Sequence, residues 1–335
     1  MSRVAVRVER VRAEEAIENL RAGGYLNEDM MILQRGSHVE IPVLSSNLEG
    51  EWEVVRQHRP SFKRPRLSHG LIKRSLGVEG DVARALKHWE LLGSVLLVNL
   101  PDGTRNKEEI GTGLMRLMPR VKAVLNCRSV QGVYRQPEVE LIAGGATETI
   151  HRENGCIFKL DPMKVMFSSG NQWERRRMAR ISNPSEIVLD MFAGIGQFTI
   201  PLAKYSRPRK VYAVEKNPTA YSYLSENVKL NGLANVVAIH GDCREVSPRG
   251  VADRAIMGYF NARSFLPTAL DALRGCGVIH HHILVKKDRL VEEAEGLVAD
   301  IDNLGYSARI MELKRVKSYA PSLYHYVVDI SIAPR

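Results

Sequence analysis

The stretch Val188-Leu189-Asp190-Met191-Phe192-Ala193-Gly194-Ile195-Gly196-Gln197-Phe198 decides the fold. An apolar run reaches an acidic residue, a Gly-x-Gly turn follows, and a helix-like pattern continues through Phe198, Ile200 and Leu202. Strand, tight turn and helix in that order open a nucleotide-binding α/β sheet, where glycines let the backbone approach a bound nucleoside. Asp190 adds a carboxylate at the end of the strand.

Two features downstream strengthen this reading. Lys210 to Glu215 is a second strand that ends in an acid nineteen residues past Gly196, the spacing of a ribose-binding carboxylate. A helix (Pro218 to Leu230) and a third strand (Asn235 to His240) then lead to Gly241-Asp242-Cys243, a third carboxylate at a strand's C-terminal edge, placed to accept from a purine amine. Thr199 stands where a dinucleotide fingerprint needs a third Gly or Ala, and no Gly-x-x-x-x-Gly-Lys-Ser/Thr run occurs. A carboxylate-rich pocket suits a cationic adenosyl ligand better than a pyrophosphate, and S-adenosylmethionine, with its sulfonium, fits.

The pattern continues with strand four (Ala252 to Met257, ending at Gly258-Tyr259-Phe260), a helix (Ser264 to Leu273), strand five (Gly277 to Leu284) and a helix (Leu290 to Leu304). Ala308 to Leu313 and Tyr324 to Ile332 read as a closing antiparallel pair joined by Lys314 to Pro321. The expected fold class is α/β: a Rossmann-like S-adenosylmethionine-dependent transferase sheet with N-terminal α+β domains.

Four segments are expected. Residues 1–50 form a small α+β module, with strand alternation at Val4, Val6 and Val8, a helix from Ala13 to Leu20 and two short strands around Arg35-Gly36. Residues 51–78 form a basic linker carrying Arg56, Arg59, Lys63, Arg64, Arg66, Lys73 and Arg74, with Trp52, Pro60, Phe62 and Pro65 nearby. It serves either as a phosphate contact or as a solvated connector. Residues 79–165 form a middle α/β domain: a helix over Val82 to Leu92, a strand over Val95 to Leu100, a helix over Lys107 to Leu117, a strand over Val121 to Asn126, and a meander of Val139 to Ile142, Glu148 to His151 and Cys156 to Leu160. Arg128 and Arg135 add further exposed charge there. Residues 166–335 form the catalytic domain. At its start, Ser168 and Asn171 precede a charged helix whose amides, with Arg175, either hold a carboxylate or simply cap the helix.

The 335 residues suffice for two or three domains, and 44% hydrophobic with 26% charged residues is a globular composition. The absence of a long apolar run and of a leader-like start predicts a cytoplasmic protein with no membrane association. The four cysteines (Cys127, Cys156, Cys243, Cys276) show no Cys-x-x-Cys spacing, which argues against zinc and disulfides. A net charge of +10 favours a polyanionic partner, most simply nucleic acid. His280 and His282 share one face of strand five, but no third ligand accompanies them, so no metal is expected.

With these residues in place, the chain resembles the archaeal and eukaryotic tRNA enzymes that act on the guanine just 3′ of the anticodon. They comprise a guanine-N1 methyltransferase and the related wybutosine-synthesising aminocarboxypropyl transferase. The resemblance covers residues 80–335 well and the N-terminal module more loosely. Its carriers are Met166-Phe167-Ser168-x-Gly170-Asn171-x-x-Glu174-Arg175, Asp190 to Gly196, Glu215-Lys216-Asn217-Pro218, and Lys317-Ser318-Tyr319-Ala320-Pro321-x-x-x-His325. Met257-Gly258-Tyr259-Phe260 stands where the methyltransferase branch is expected to carry Asn-Pro-Pro or Asn-Leu-Pro, and it is similar to the transferase branch, as is Ile279-His280-x-His282.

The resemblance implies transfer of the 3-amino-3-carboxypropyl group of S-adenosylmethionine to 4-demethylwyosine in tRNA-Phe, releasing 5′-methylthioadenosine. Guanine-N1 methylation at the same nucleotide is the alternative. It further implies Glu215 on the ribose, Asp242 and the Cys243 amide on the adenine, Ser168 and Arg175 at the methionine moiety, and Asp190 and Gly194 along the turn. Tyr259, His280 and His282 are candidates for the base site, and Tyr259 either meets the base or packs on the adenine. No general base is identified, and the first module is expected to grip the tRNA body.

Overall fold

In a computed structural model the described residues are 4–27, 30–48, 50, 52–57, 69–132, 134 and 136–335, and the chain divides into two compact units, 1–74 and 75–335. The first unit holds β1 (Val4–Glu9), α1 (Ala13–Ala22), β2 (Leu33–Arg35), β3 (His38–Pro42) and β4 (Glu53–Arg56), in sheet order β2-β3-β1-β4. Val6, Val39 and Ile41 project from the sheet onto Leu20 of α1, and Trp52 packs against the same core. β4 arises inside the stretch expected as a linker. Its Val54-Val55 pair suits a strand, and it closes the free edge of β1, where Arg7 also reaches Glu53 at 3.1 Å. Arg59, Lys63, Arg64, Arg66 and Arg135 lie outside the described residues. Lys73 and Arg74 fall in the last turn of α2 (His69–Leu76), within which the two units divide.

In the second unit, α3 (Gly80–Ala85), β5 (Trp89–Leu92), β6 (Val95–Val98), α4 (Lys107–Leu117), β7 (Ala123–Gln131) and β8 (Gln136–Gly144) build a sheet of order β5-β6-β7-β8. The single helix expected over Val82 to Leu92 ends at Ala85, and its second half is β5. The cause is Gly93-Ser94, a tight hairpin turn pairing Leu92 with Val95. Gly93 has φ +57°, and a Cβ there would lie 2.2 Å from Thr149 Oγ1, so only glycine closes this turn. The expected meander does not form either. β8 pairs with β7, while β9 (Thr149–Glu153) and β10 (Cys156–Leu160) make a separate hairpin.

The main sheet follows α5 (Gln172–Met178). Its elements are β11 (Ile187–Asp190), α6 (Thr199–Pro201) running into a π-helical turn Leu202–Ser206, β12 (Lys210–Glu215), α7 (Pro218–Leu230), β13 (Val236–His240), α8 (Cys243–Val246), β14 (Ala252–Met257), α9 (Leu266–Ala272), β15 (Leu273–Lys286), α10 (Leu290–Asn303), β16 (Tyr306–Ala320) and β17 (Leu323–Pro334). The order is β13-β12-β11-β14-β15-β17-β16; the first five strands are parallel, and β17 is antiparallel between β15 and β16. This is the α/β Rossmann-like sheet that the sequence predicts. The expected loop Lys314 to Pro321 is instead mostly strand, since β16 continues to Ala320 and turns only at Pro321-Ser322, where Ser322 adopts φ +61°. The central strands are covered on both faces, as their apolar runs require: Leu189, Ala255, Met257 and Ile279 meet Leu266, Leu270 and Leu297 on one side, and Val188, Val211 and Ile256 meet Met178 and Leu202 on the other.

Helix α7 also ties the β9–β10 hairpin to this sheet. Asn217 caps it, accepting from Thr219 N at 2.9 Å, and Pro218 occupies its first turn. Asn227 and Asn231, one turn apart, each bond both backbone groups of a β10 residue. Asn227 accepts from Lys159 N (2.6 Å) and donates to Lys159 O (3.0 Å), and Asn231 does the same to Ile157 (3.0 and 2.7 Å). Two side-chain amides thus stand in for a strand along the exposed edge of β10.

Candidate active site

At the C-terminal ends of β11, β12, β13 and β14 lies a cavity of about 470 Å³, the position where open α/β sheets bind ligands. The turn after β11 forms its floor. Gly194 (φ +57°) has open space where a Cβ would point, whereas a Cβ on Gly196 (φ +95°) would strike Ile200 at 2.8 Å. The first glycine thus keeps the cavity clear, and the second permits close packing of turn and helix.

Glu215, at the end of β12, accepts the Gly194 N–H through Oε2 and the Asn217 N–H through Oε1, both at 2.7 Å. Burial raises its carboxyl above the usual range, and these amides oppose the rise. Asp242 caps α8, accepting Arg244 N at 3.0 Å. Its carboxylate also receives the Arg244 guanidinium (2.9 and 2.6 Å) and the Lys216 ammonium (2.9 Å), and Arg244 foremost holds it far below the ordinary value. The buried Cys243 thiol is pushed up to about 12 by burial, so it is a neutral thiol at physiological pH.

Beyond β11, Ser168 is fixed on three sides. Its N–H donates to Gln197 Oε1 (3.0 Å), its carbonyl accepts from Arg175 Nη1 (2.6 Å), and its hydroxyl accepts from Lys317 Nζ (2.8 Å). Tyr259 leans on Phe192 with ring centroids 5.4 Å apart, and Phe192 meets Phe265 edge-on at 5.1 Å. His282 Nδ1 and His325 Nε2 are 2.9 Å apart, and Phe198 and Phe260 pack against this imidazole pair. Burial pushes both imidazoles down, His325 to about 3, so the pair is neutral at physiological pH.

Ser168, Gly194, Glu215, Asp242, Cys243, Tyr259 and His282 therefore converge on one cavity. Three other residues singled out in the sequence stand behind its wall. Arg175 is only 1% exposed, with its guanidinium bound by Glu153 and the Ser168 carbonyl. Asp190 is fully enclosed, accepts from Thr199 Oγ1 at 2.7 Å, and is raised to about 6 by burial. His280 faces Asp329 (2.5 Å) and Arg254 (2.8 Å) inside the sheet. Alternation along β15 placed His280 and His282 on one face, but it did not reveal that only the second reaches the opening.

Glu90 of β5 also lines the cavity and is not legible in the sequence, because the pattern of its stretch suits a helix as well as a strand. Lys317 and His325 belong to a recognisable motif but had no assigned role, and Gln197 carried no signal of its own. Among the described residues, no group of three or more His, Cys, Asp or Glu is arranged to hold a metal, and no helix is long and apolar enough to cross a membrane.

Comparison with known proteins agrees with this architecture. The TRM5/TYW2 methyltransferase domain model matches residues 149–303, and the TYW2 N-terminal domain model matches residues 72–147. The chain is 46% identical over 247 residues to the tRNA(Phe) (4-demethylwyosine(37)-C(7)) aminocarboxypropyltransferase of Methanocaldococcus jannaschii, covering 72% of this chain and 96% of that protein. It is 33% identical over 336 residues to the tRNA (guanine(37)-N(1))-methyltransferase Trm5b of Pyrococcus abyssi, covering 98% and 99%. The crystal structure of M. jannaschii TYW2 in complex with AdoMet superposes with a TM-score of 0.61 at 42% identity, covering 74% of this chain and all of that one. On these matches the chain belongs to the TRM5/TYW2 family.

Proposed function

We propose that this protein transfers the 3-amino-3-carboxypropyl group of S-adenosylmethionine to carbon C7 of 4-demethylwyosine at position 37 of tRNA-Phe. The observation that carries this reading is the end of β14. There Met257-Gly258-Tyr259-Phe260 presents no asparagine carbonyl to a base nitrogen. A Cβ on Gly258 would sit 3.2 Å from the Phe198 ring, which itself packs on His282, so the local packing accommodates glycine. The similarity to the M. jannaschii aminocarboxypropyltransferase supports the same conclusion.

The cavity suits the donor. The space over Gly194 admits an adenosyl group, Glu215 offers acceptors to ribose hydroxyls, and Asp242 and the Cys243 amide face the adenine. When bound, S-adenosylmethionine supplies three sulfonium carbons open to displacement. In the proposed transfer the C7–Cγ bond forms and the Cγ–S bond breaks. The electron pair stays on sulfur, the C7 proton leaves the ring, and 5′-methylthioadenosine is the neutral by-product. The protein's contribution is orientation. Ser168 fixes the methionine end, Tyr259 and His282 line the wall where the base arrives, Arg175 holds Ser168 from behind, and Asp190 ties the β11 turn to Thr199. The N-terminal module, residues 1–50, and the basic stretch 51–78 grip the tRNA body; the +10 net charge supports this role.

Guanine-N1 methylation is a second reading. It is favoured by one observation: the Pyrococcus abyssi methyltransferase matches nearly the whole chain, first unit included. Nucleoside analysis of tRNA-Phe carrying 4-demethylwyosine after reaction decides between them. A carbon-linked aminocarboxypropyl group is expected, and a methylated base with no such group would overturn the assignment.

A further inference from the structure

The acids assigned to the nucleoside, Glu215 and Asp242, follow β12 and β13 on one side of β11. On its other side the cavity has a second set of charged groups that the nucleoside does not need. Lys317 of β16 lies across Gly170, where a Cβ would meet its Cδ at 2.9 Å, and it donates to the Ser168 hydroxyl at 2.8 Å. Glu90 of β5 reaches the same place and shares a hydrogen bond with Ser169. Its Oε1 is enclosed and has no hydrogen-bond partner among the described residues. A buried carboxylate oxygen is normally satisfied, and an ionised carboxylate accepts only from a donor. The neighbouring guanidinium is not that donor, because Arg175 is bound to both oxygens of Glu153 at 2.7 Å.

One cation and one carboxylate, brought together over the Ser168-Ser169-Gly170 backbone, match the two charges of an α-amino acid. We propose that Glu90 and Lys317 form an amino-acid clamp, in which Glu90 receives the α-ammonium and Lys317, with the Ser168 hydroxyl, the α-carboxylate of the methionine moiety. The inference rests on the S-adenosylmethionine chemistry proposed above and adds the residues that hold the migrating half. In a methyl transfer this half leaves with the by-product. In an aminocarboxypropyl transfer it is the group delivered, and a clamp on it keeps Cγ in place while the methylthioadenosine half departs. Glu90 comes from the middle domain, so that domain completes the donor site.

Calorimetric titration of the full-length protein without tRNA tests the clamp independently of the transfer reaction. With Glu90→Gln, S-adenosylmethionine is expected to bind at least about 10-fold more weakly, while 5′-methylthioadenosine, which lacks the amino acid, changes by less than about 2-fold. Lys317→Met is expected to show the same split. Equal losses for both ligands, or no loss for either, would overturn the proposal. Should Glu90→Gln bind neither ligand because it does not fold, the wild-type protein decides. The clamp requires the desamino analogue of S-adenosylhomocysteine to bind at least about 10-fold more weakly than the parent, and equal affinity would overturn it.

Discussion

Glu153 grips both ends of the Arg175 guanidinium, Oε1 to Nε and Oε2 to Nη2, each at 2.7 Å. The pair is enclosed, and the remaining nitrogen, Nη1, holds the Ser168 carbonyl. A hairpin residue of β9 thus sets the Ser168 backbone at the cavity wall, which the proposed function places at the donor's methionine end. Arg175 acts through Ser168 and is a positioning residue.

Glu153→Ala would leave a buried guanidinium uncompensated, at a cost of about 3–5 kcal/mol. The expected outcome is a large drop in thermal stability accompanied by weaker S-adenosylmethionine binding. A variant as stable as the parent would contradict the account. Burial alone would raise the Glu153 carboxyl, but the Arg175 hydrogen bonds hold it down to about 2. Its stabilisation is therefore complete above the ordinary glutamate value of about 4.5 and is lost as pH falls from there through 2.

The buried imidazoles predict an earlier acid transition. Burial depresses His281 to about 4 and His325 to about 3, and it lowers His280 and His282 in the same direction. The unfolded chain takes up these protons near 6.5, whereas the folded protein resists them. Stability should therefore fall as pH drops below about 6.5, by roughly 1.4 kcal/mol per pH unit for each group in its titrating window. Melting temperatures from pH 8 to pH 4 check this. His325→Phe should flatten the slope, and an unchanged slope would show that His325 does not contribute.

Glu215 orders the Gly194 turn and the start of α7 as well as facing the cavity. Glu215→Ala should abolish measurable S-adenosylmethionine binding, while Glu215→Gln, which keeps one acceptor oxygen, should retain part of it. Parent-like affinity in the alanine variant would contradict its assigned place on the ribose.

Neutralising Arg56, Arg59, Lys63, Arg64, Arg66, Lys73 and Arg74 should weaken tRNA binding. It should also reduce the slope of log affinity against log salt by roughly 0.7–0.9 for each phosphate the protein no longer neutralises. Donor affinity should not change. Equal tRNA affinity at low salt would remove this stretch from the interface.

The sheet was legible because its signals are local. Asp190-x-x-x-Gly194-x-Gly196 and the acids at Glu215 and Asp242 mark strand ends, and Asn217-Pro218 starts a helix whose bounds, Pro218–Leu230, follow from the pattern. Misreadings arose where tertiary contacts decide. Trp89 to Leu92 is apolar enough for either a helix or a strand, and the close approach of Gly93 to Thr149, 56 residues away, selects the strand. Lys314 to Ala320 looks like a basic loop, yet pairing with β17 extends it. The same limit governs the site. Glu215 stands at a motif position, whereas Glu90 reaches the cavity only through the packing of the middle sheet. The consumption of Arg175 by Glu153 depends on the docking of the β9–β10 hairpin against α5, a tertiary contact that no spacing announces.

The most direct test of the central claim is mass spectrometry of the donor's by-product. The protein is incubated with S-adenosylmethionine and tRNA-Phe carrying either plain guanosine or 4-demethylwyosine at position 37. The account predicts 5′-methylthioadenosine, and only with the tricyclic base. S-adenosylhomocysteine formed with plain guanosine would contradict it and identify the Gly258-Tyr259-Phe260 strand end as compatible with methyl transfer.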